Sequence, residues 1–105
     1  MGTAISNAHT VVGTPYYMSP EVCKSEPYTS KSDIWALGCI LYELCTLKKA
    51  YEADNLLGLV YKIVMDPVQK IPEEFGFSKE MQKLVDMLLE KEPKARPSVA
   101  EILSM

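Results

Sequence analysis

Ser32-Asp33-Ile34-Trp35-Ala36-Leu37-Gly38-Cys39-Ile40-Leu41-Tyr42-Glu43-Leu44 is the stretch whose reading decides the fold. From Ile34 to Tyr42 nothing is charged, and the apolar side chains leave no polar stripe at either the helical or the strand period. A helix that is apolar all round belongs inside a core, not on a surface. The run is too short to cross a bilayer, which takes about 20 apolar residues, and Asp33 and Glu43 close its two ends. The expectation is a buried central helix from about Ser32 to Leu47, capped by Ser30 or Ser32, with the other elements packed around it.

Working outward, Ser19-Pro20-Glu21-Val22 is a helix start. Ser19 can cap, Pro20 suits the first helical position, and Glu21 favours the positive end of the dipole. That helix should stop by Ser25, since Pro27 biases Glu26 away from helical angles. Lys48 to Asp54 reads as a polar turn carrying Tyr51. Asn55 or Asp54 can cap a third helix with Leu56, Leu59, Val60 and Ile63 at helical spacing, although Gly58 costs it about 1 kcal/mol against Ala. Residues 66 to 77, with Pro67, Pro72 and Gly76, form a connector. Ser78 caps a helix with Met81, Leu84, Val85, Leu88 and Leu89 on one face. Pro93 and Pro97 enclose a turn, and Ser98-Val99-Ala100-Glu101 is a capping box opening the last helix. No strand is expected. The fold class is all-α with long loops, and three amphipathic helices are few walls for a fully enclosed central one.

The 105 residues suit one domain, 48% hydrophobic with a net charge of −3, which argues against nucleic acid or an anionic membrane as the main partner. Cys23, Cys39 and Cys45 are odd in number and lack metal-ligand spacing. An intracellular, cytoplasmic setting is expected, with no signal peptide or transmembrane segment. Gly2 with Ser6 meets the short myristoylation pattern, but the N-terminus reads as an ordinary loop. The five glycines are scattered, so there is no phosphate-cradling loop. His9 has no nucleophile or ligand partner, and Glu73-Glu74 read as solvated surface. Residue types and spacing alone point to no active site.

Three blocks stand out: Gly13-Thr14-Pro15-Tyr16-Tyr17-Met18-Ser19-Pro20-Glu21, then Asp33-Ile34-Trp35-Ala36-Leu37-Gly38, then Arg96-Pro97. In this order and spacing the chain resembles the C-terminal half of a eukaryotic protein kinase domain, with Ser19-Pro20-Glu21 similar to the signature that closes the activation segment. The variant with Gly-Thr-Pro-Tyr-Tyr-Met ahead of it is similar to the NIMA-related Ser/Thr kinases. So is the central stretch continued to Lys48.

The resemblance implies a helical C-terminal lobe, with residues 1–21 as the second half of the activation segment and substrate loop and 22–105 as the helical subdomain. It implies phosphoryl transfer from ATP, with Mg²⁺, to a protein Ser or Thr. Thr14 resembles the threonine that bonds the catalytic groups of Ser/Thr kinases. Gly13, Pro15, Tyr16, Tyr17 and Met18 would form the loop that seats the substrate. Thr10 would be the phosphorylation site of an upstream kinase, with Ser6 and Thr3 as competitors. Glu21 and Arg96 would pair in the interior. Asp33 would cap amides of the catalytic loop, while Trp35 and Gly38 would pack the central helix against the segment around Glu21. The glycine-rich loop, the ATP-pairing lysine and its glutamate, the H-R-D loop and the D-F-G aspartate have no counterpart in these 105 residues. All are expected upstream of Met1, so the isolated chain should bind neither ATP nor Mg²⁺ and catalyse nothing. A non-catalytic interaction module derived from a kinase is the alternative. By the resemblance, cytoskeletal or nuclear locations are compatible too.

Overall fold

The computed structural model describes residues 15–105. Among them there are helices and turns and no strand. The order is α1 (Pro20–Cys23), α2 (Ser30–Thr46), α3 (Leu56–Met65), a 3-10 turn at Glu73–Phe75, α4 (Lys79–Leu88), a second 3-10 turn at Pro93–Ala95, and α5 (Val99–Leu103).

Each helix begins where a side chain can satisfy a free backbone amide. Ser19 Oγ accepts from the Val22 amide, Ser78 Oγ from Met81, and Asn55 Oδ1 from Gly58 at 2.7 Å. Ser98 and Glu101 exchange bonds in a capping box, at 3.1 and 2.7 Å. The central helix differs from expectation: its cap is Thr29, with the amide of Thr29 donating to Ser32 Oγ. Thr29 itself is extended (φ −138°, ψ 179°), the conformation a capping residue takes just ahead of a helix. Its other end is closed by Leu47 in the left-handed region (φ 60°), whose amide reaches the Glu43 carbonyl.

Around α2 the core gathers Trp35, Cys39, Tyr42, Cys45, Tyr51, Leu59, Ile63, Ile71, Val85 and Leu89. Complete enclosure of α2 is not what the structure has. Leu37, Ile40 and Leu44 remain 45, 43 and 69% exposed. The physical reason is the shortage of walls: α4 crosses one side of α2, and the described residues offer nothing to cover the opposite side.

Tyr51 is a second departure. The polar turn expected there buries it, 4% exposed, with its ring stacked on Trp35 at 5.9 Å between centroids. Its hydroxyl donates to the Asp66 carbonyl at 2.8 Å, so the ring is dry while its polar tip is satisfied. The connector is tied down as well, with buried Ile71 donating its amide to Gln82 Oε1 at 2.8 Å. No described helix is long and apolar enough to cross a membrane.

Candidate functional site: the clamp behind the Pro15–Met18 turn

Glu21 lies in the first turn of α1 and is buried; Arg96 follows the second 3-10 turn and is buried too. Arg96 Nη2 donates to Glu21 Oε1 at 2.6 Å and Nη1 to Oε2 at 2.9 Å, a two-pronged fork. Nε donates to the Glu90 carbonyl at 2.6 Å, Nη1 also to Lys31 at 2.7 Å, and Nη2 to Lys91 at 3.1 Å. The guanidinium has five N–H donors, and every one is used. Ser32 Oγ gives Glu21 Oε2 a further bond of 2.8 Å. Burial acts to raise the Glu21 carboxyl, but the bonds from Arg96, its own backbone and Ser32 overcome it and hold the pKa down to about 2.

Trp35, fully buried, is gripped by cations: Arg96 lies 5.2 Å and Lys91 Nζ 5.4 Å from its ring centroid. Lys91 was not singled out by the sequence. Its ammonium donates to the Ile63 carbonyl at 2.6 Å and meets the Tyr51 hydroxyl at 3.0 Å, and burial lowers its pKa. A lysine following Leu88-Leu89-Glu90 looks like the solvated end of a helix; nothing local says that Trp35 and Tyr51 wait for it.

Gly38 has a different neighbour from the one expected. A Cβ there would lie 2.8 Å from both Leu88 Cβ and Leu89 Cδ2, so Gly38 lets α2 and α4 touch and does not face the segment around Glu21. Trp35 packs on Arg96, the partner of Glu21, and belongs to the core cluster against which Tyr16 and Cys23 pack. Asp33 is exposed and accepts a bond from the Tyr28 hydroxyl.

Ahead of the clamp, Pro15–Met18 makes a turn, with the Met18 amide bonded to the Pro15 carbonyl at 3.2 Å. Pro15, Tyr16 and Met18 are half-buried and Tyr17 is more exposed, its hydroxyl donating to Glu43 on α2. Lys49 completes the group: its ammonium lies 2.9 Å from Glu43 Oε2 and 5.1 and 5.7 Å from the rings of Tyr16 and Tyr17. The bonds from Tyr17 and Lys49 lower the Glu43 pKa, and the Glu43 bond raises those of Tyr17 and Lys49. The turn is thereby fastened to α2 on one side and, through Ser19-Pro20-Glu21, to Arg96 on the other. Gly13, Thr14 and Thr10 lie outside the described residues. Burial pushes the Cys39 thiol up to about 12 and the Cys23 thiol to about 11, so both are protonated packing groups.

The residues present do not suit a magnesium–nucleotide site. No group of three His, Cys, Asp or Glu is placed to hold a metal among the described residues. Nothing here can be assigned to ATP.

Residues 2–105 match the family of the protein kinase domain, and the chain belongs to that family. Its all-helical architecture is that of the C-terminal lobe. Among curated proteins it is 46% identical to Serine/threonine-protein kinase Nek1 of Mus musculus over 98% of this chain and 8% of that protein. It is 47% identical to Serine/threonine-protein kinase Nek5 of Homo sapiens, over 98% of this chain and 14% of that one. With Serine/threonine-protein kinase Nek8 of Danio rerio it shares 50% identity over 94% of this chain and 14% of that one. The chain thus spans only a small part of the length of these relatives.

Proposed function

We propose that this chain forms the substrate-side floor of a NIMA-related Ser/Thr protein kinase, whose reaction moves the γ-phosphoryl group of ATP, with Mg²⁺, to a Ser or Thr of a protein. The observation that carries this reading is the clamp. Arg96, saturated by five bonds, anchors Glu21 three residues after the Pro15–Met18 turn, so a substrate backbone would meet a loop already fixed. Positioning is most of what a phosphoryl-transfer site must supply.

In this reading Tyr16, Tyr17 and Met18 line the seat beside the acceptor, and Thr14 bonds the catalytic groups supplied from elsewhere in the kinase. Residues 1–21 serve as the activation segment and substrate loop, and 22–105 as its support. A phosphate on Thr10, placed by an upstream kinase, would order the segment against basic side chains. The reaction belongs inside the cell, in cytoplasm or nucleus, where ATP is.

The test is a chimera in which residues 2–105 replace the matching segment of the Mus musculus relative Nek1. It should phosphorylate Ser/Thr peptides, lose at least tenfold in kcat with Thr14→Ala, and bind a fluorescent ATP analogue in both forms. A chimera that binds the analogue and phosphorylates nothing would sink the reading. The 105-residue chain alone should show no transfer.

A further inference from the structure

Glu43 puts a carboxylate beside the Pro15–Met18 turn, and Lys49, from beyond the end of α2, neutralises it. The chain on either side of Lys49 is fixed. Ahead of it, buried Thr46 takes a bond from the Lys48 amide at 3.2 Å and gives one to the Tyr42 carbonyl at 2.9 Å. After it, Ala50 packs on the core and Tyr51 is buried. The Lys49 side chain therefore starts from a set place, and its ammonium ends 2.9 Å from Glu43 Oε2. Glu43 Oε1 takes the Tyr17 hydroxyl. Each carboxylate oxygen thus has a donor from this chain.

Unlike the Glu21–Arg96 pair, this one is open to solvent. The side chains of Lys49 and Glu43 are 28 and 31% exposed and Tyr17 is 36% exposed, so a substrate side chain can reach them. A pair so open adds little to stability. Its weight lies in charge: Tyr17 is neutral, and without Lys49 the group would hold an unopposed carboxylate next to the turn. A Lys or Arg arriving on a substrate would have to displace an ammonium tethered six residues from Glu43, whose local concentration a free peptide does not match. Otherwise it would lie against that ammonium, like charge to like. Both terms turn basic side chains away.

We propose that Lys49 is a specificity-determining residue of the acceptor seat: it holds the place at Glu43 that a basic substrate side chain would take, and so selects Ser/Thr segments without Lys or Arg on that flank. The proposal rests on the acceptor-seat reading of the Pro15–Met18 turn.

The test uses the Nek1 chimera with a Ser/Thr peptide of neutral flanks and a set of copies that carry one arginine at each flanking position in turn. For each enzyme the readout is kcat/KM for an arginine peptide divided by that for the neutral peptide, so that a general loss from a loosened turn cancels. Lys49→Ala should raise this ratio roughly fivefold or more at one flanking position, and the gain should shrink in high salt. Lys49→Arg keeps the charge and should keep the original ratio. Adding Glu43→Gln to Lys49→Ala should remove the gain. Ratios that Lys49→Ala leaves unchanged, a rise equally large with Lys49→Arg, or a gain that survives Glu43→Gln overturns the proposal while the seat reading stands. A chimera that binds the ATP analogue and phosphorylates none of the peptides removes the seat reading, and this proposal with it.

Discussion

Arg96 and Glu21 are 75 residues apart in sequence and 2.6 Å apart in space, and neither has another charged partner among the described ion pairs. The pair is dry, so its value lies less in attraction than in the damage done when one half is removed. Either partner alone would be a buried charge with no compensation.

Glu21→Ala and Arg96→Ala should each cost about 3–5 kcal/mol, read as a lower midpoint in urea. Arg96→Lys should recover little, since an ammonium cannot supply the Nε and Nη bonds to Glu90, Lys31 and Lys91 together. A loss below about 1 kcal/mol, the range of exposed pairs, would overturn this account.

The clamp also sets a limit in acid. In the folded chain the bonds from Arg96, its own backbone and Ser32 hold the Glu21 carboxyl down from its ordinary 4.5 to about 2, so between these values the unfolded chain binds the extra proton. The stability Glu21 contributes is complete above about pH 4.5 and is lost as pH falls towards 2. Unfolding followed from pH 6 to 2 should show this loss, and Glu21→Gln should remove that component of the slope. An unchanged slope would count against it.

Gly38→Ala gains helix propensity of about 1 kcal/mol, yet its Cβ would meet Leu88 and Leu89 at 2.8 Å. Leu88 Cβ is next to backbone and cannot swing away. The crossing should lose, with a net cost of about 1–3 kcal/mol in thermal or urea unfolding. A stabilised variant would show that α2 and α4 can separate freely.

Leu47 ends α2 at φ 60° with its side chain 86% exposed. A leucine in that region carries a steric cost of roughly 1–2 kcal/mol, and it packs little in return. Leu47→Gly should therefore stabilise by about 0.5–1 kcal/mol, the freer unfolded glycine taking back part of the gain. A lower melting temperature would mean that Leu47 packs better than its exposure indicates.

Local chemistry was the part most readable in the sequence. Ser19, Asn55, Ser78 and Ser98 cap the helices their positions suggest, because capping depends on a few neighbouring atoms. The Glu21–Arg96 pair was readable only through the family resemblance, since 75 residues separate them. Tyr51 and Lys91 were missed because their partners come from distant elements: in a polar turn and after a helix end, each has the local look of a surface residue. The bare side of α2 was half legible: the shortage of walls could be read, but not which side would go without one. An all-apolar sequence says that a helix should be covered, and says nothing of which neighbours will do it.

The long reach of the Glu21–Arg96 bond has a consequence for synthesis. On a ribosome Glu21 emerges 75 residues ahead of Arg96, so the carboxylate must stay hydrated until that stretch has followed it. Closing so large a loop comes late and slowly. Until then Pro15–Met18 can be held by Glu43 and Lys49 but not by Arg96, and α1 has no ionic anchor. The nascent chain would build its helices from local signals first and lock the turn in place only after Arg96 has joined them.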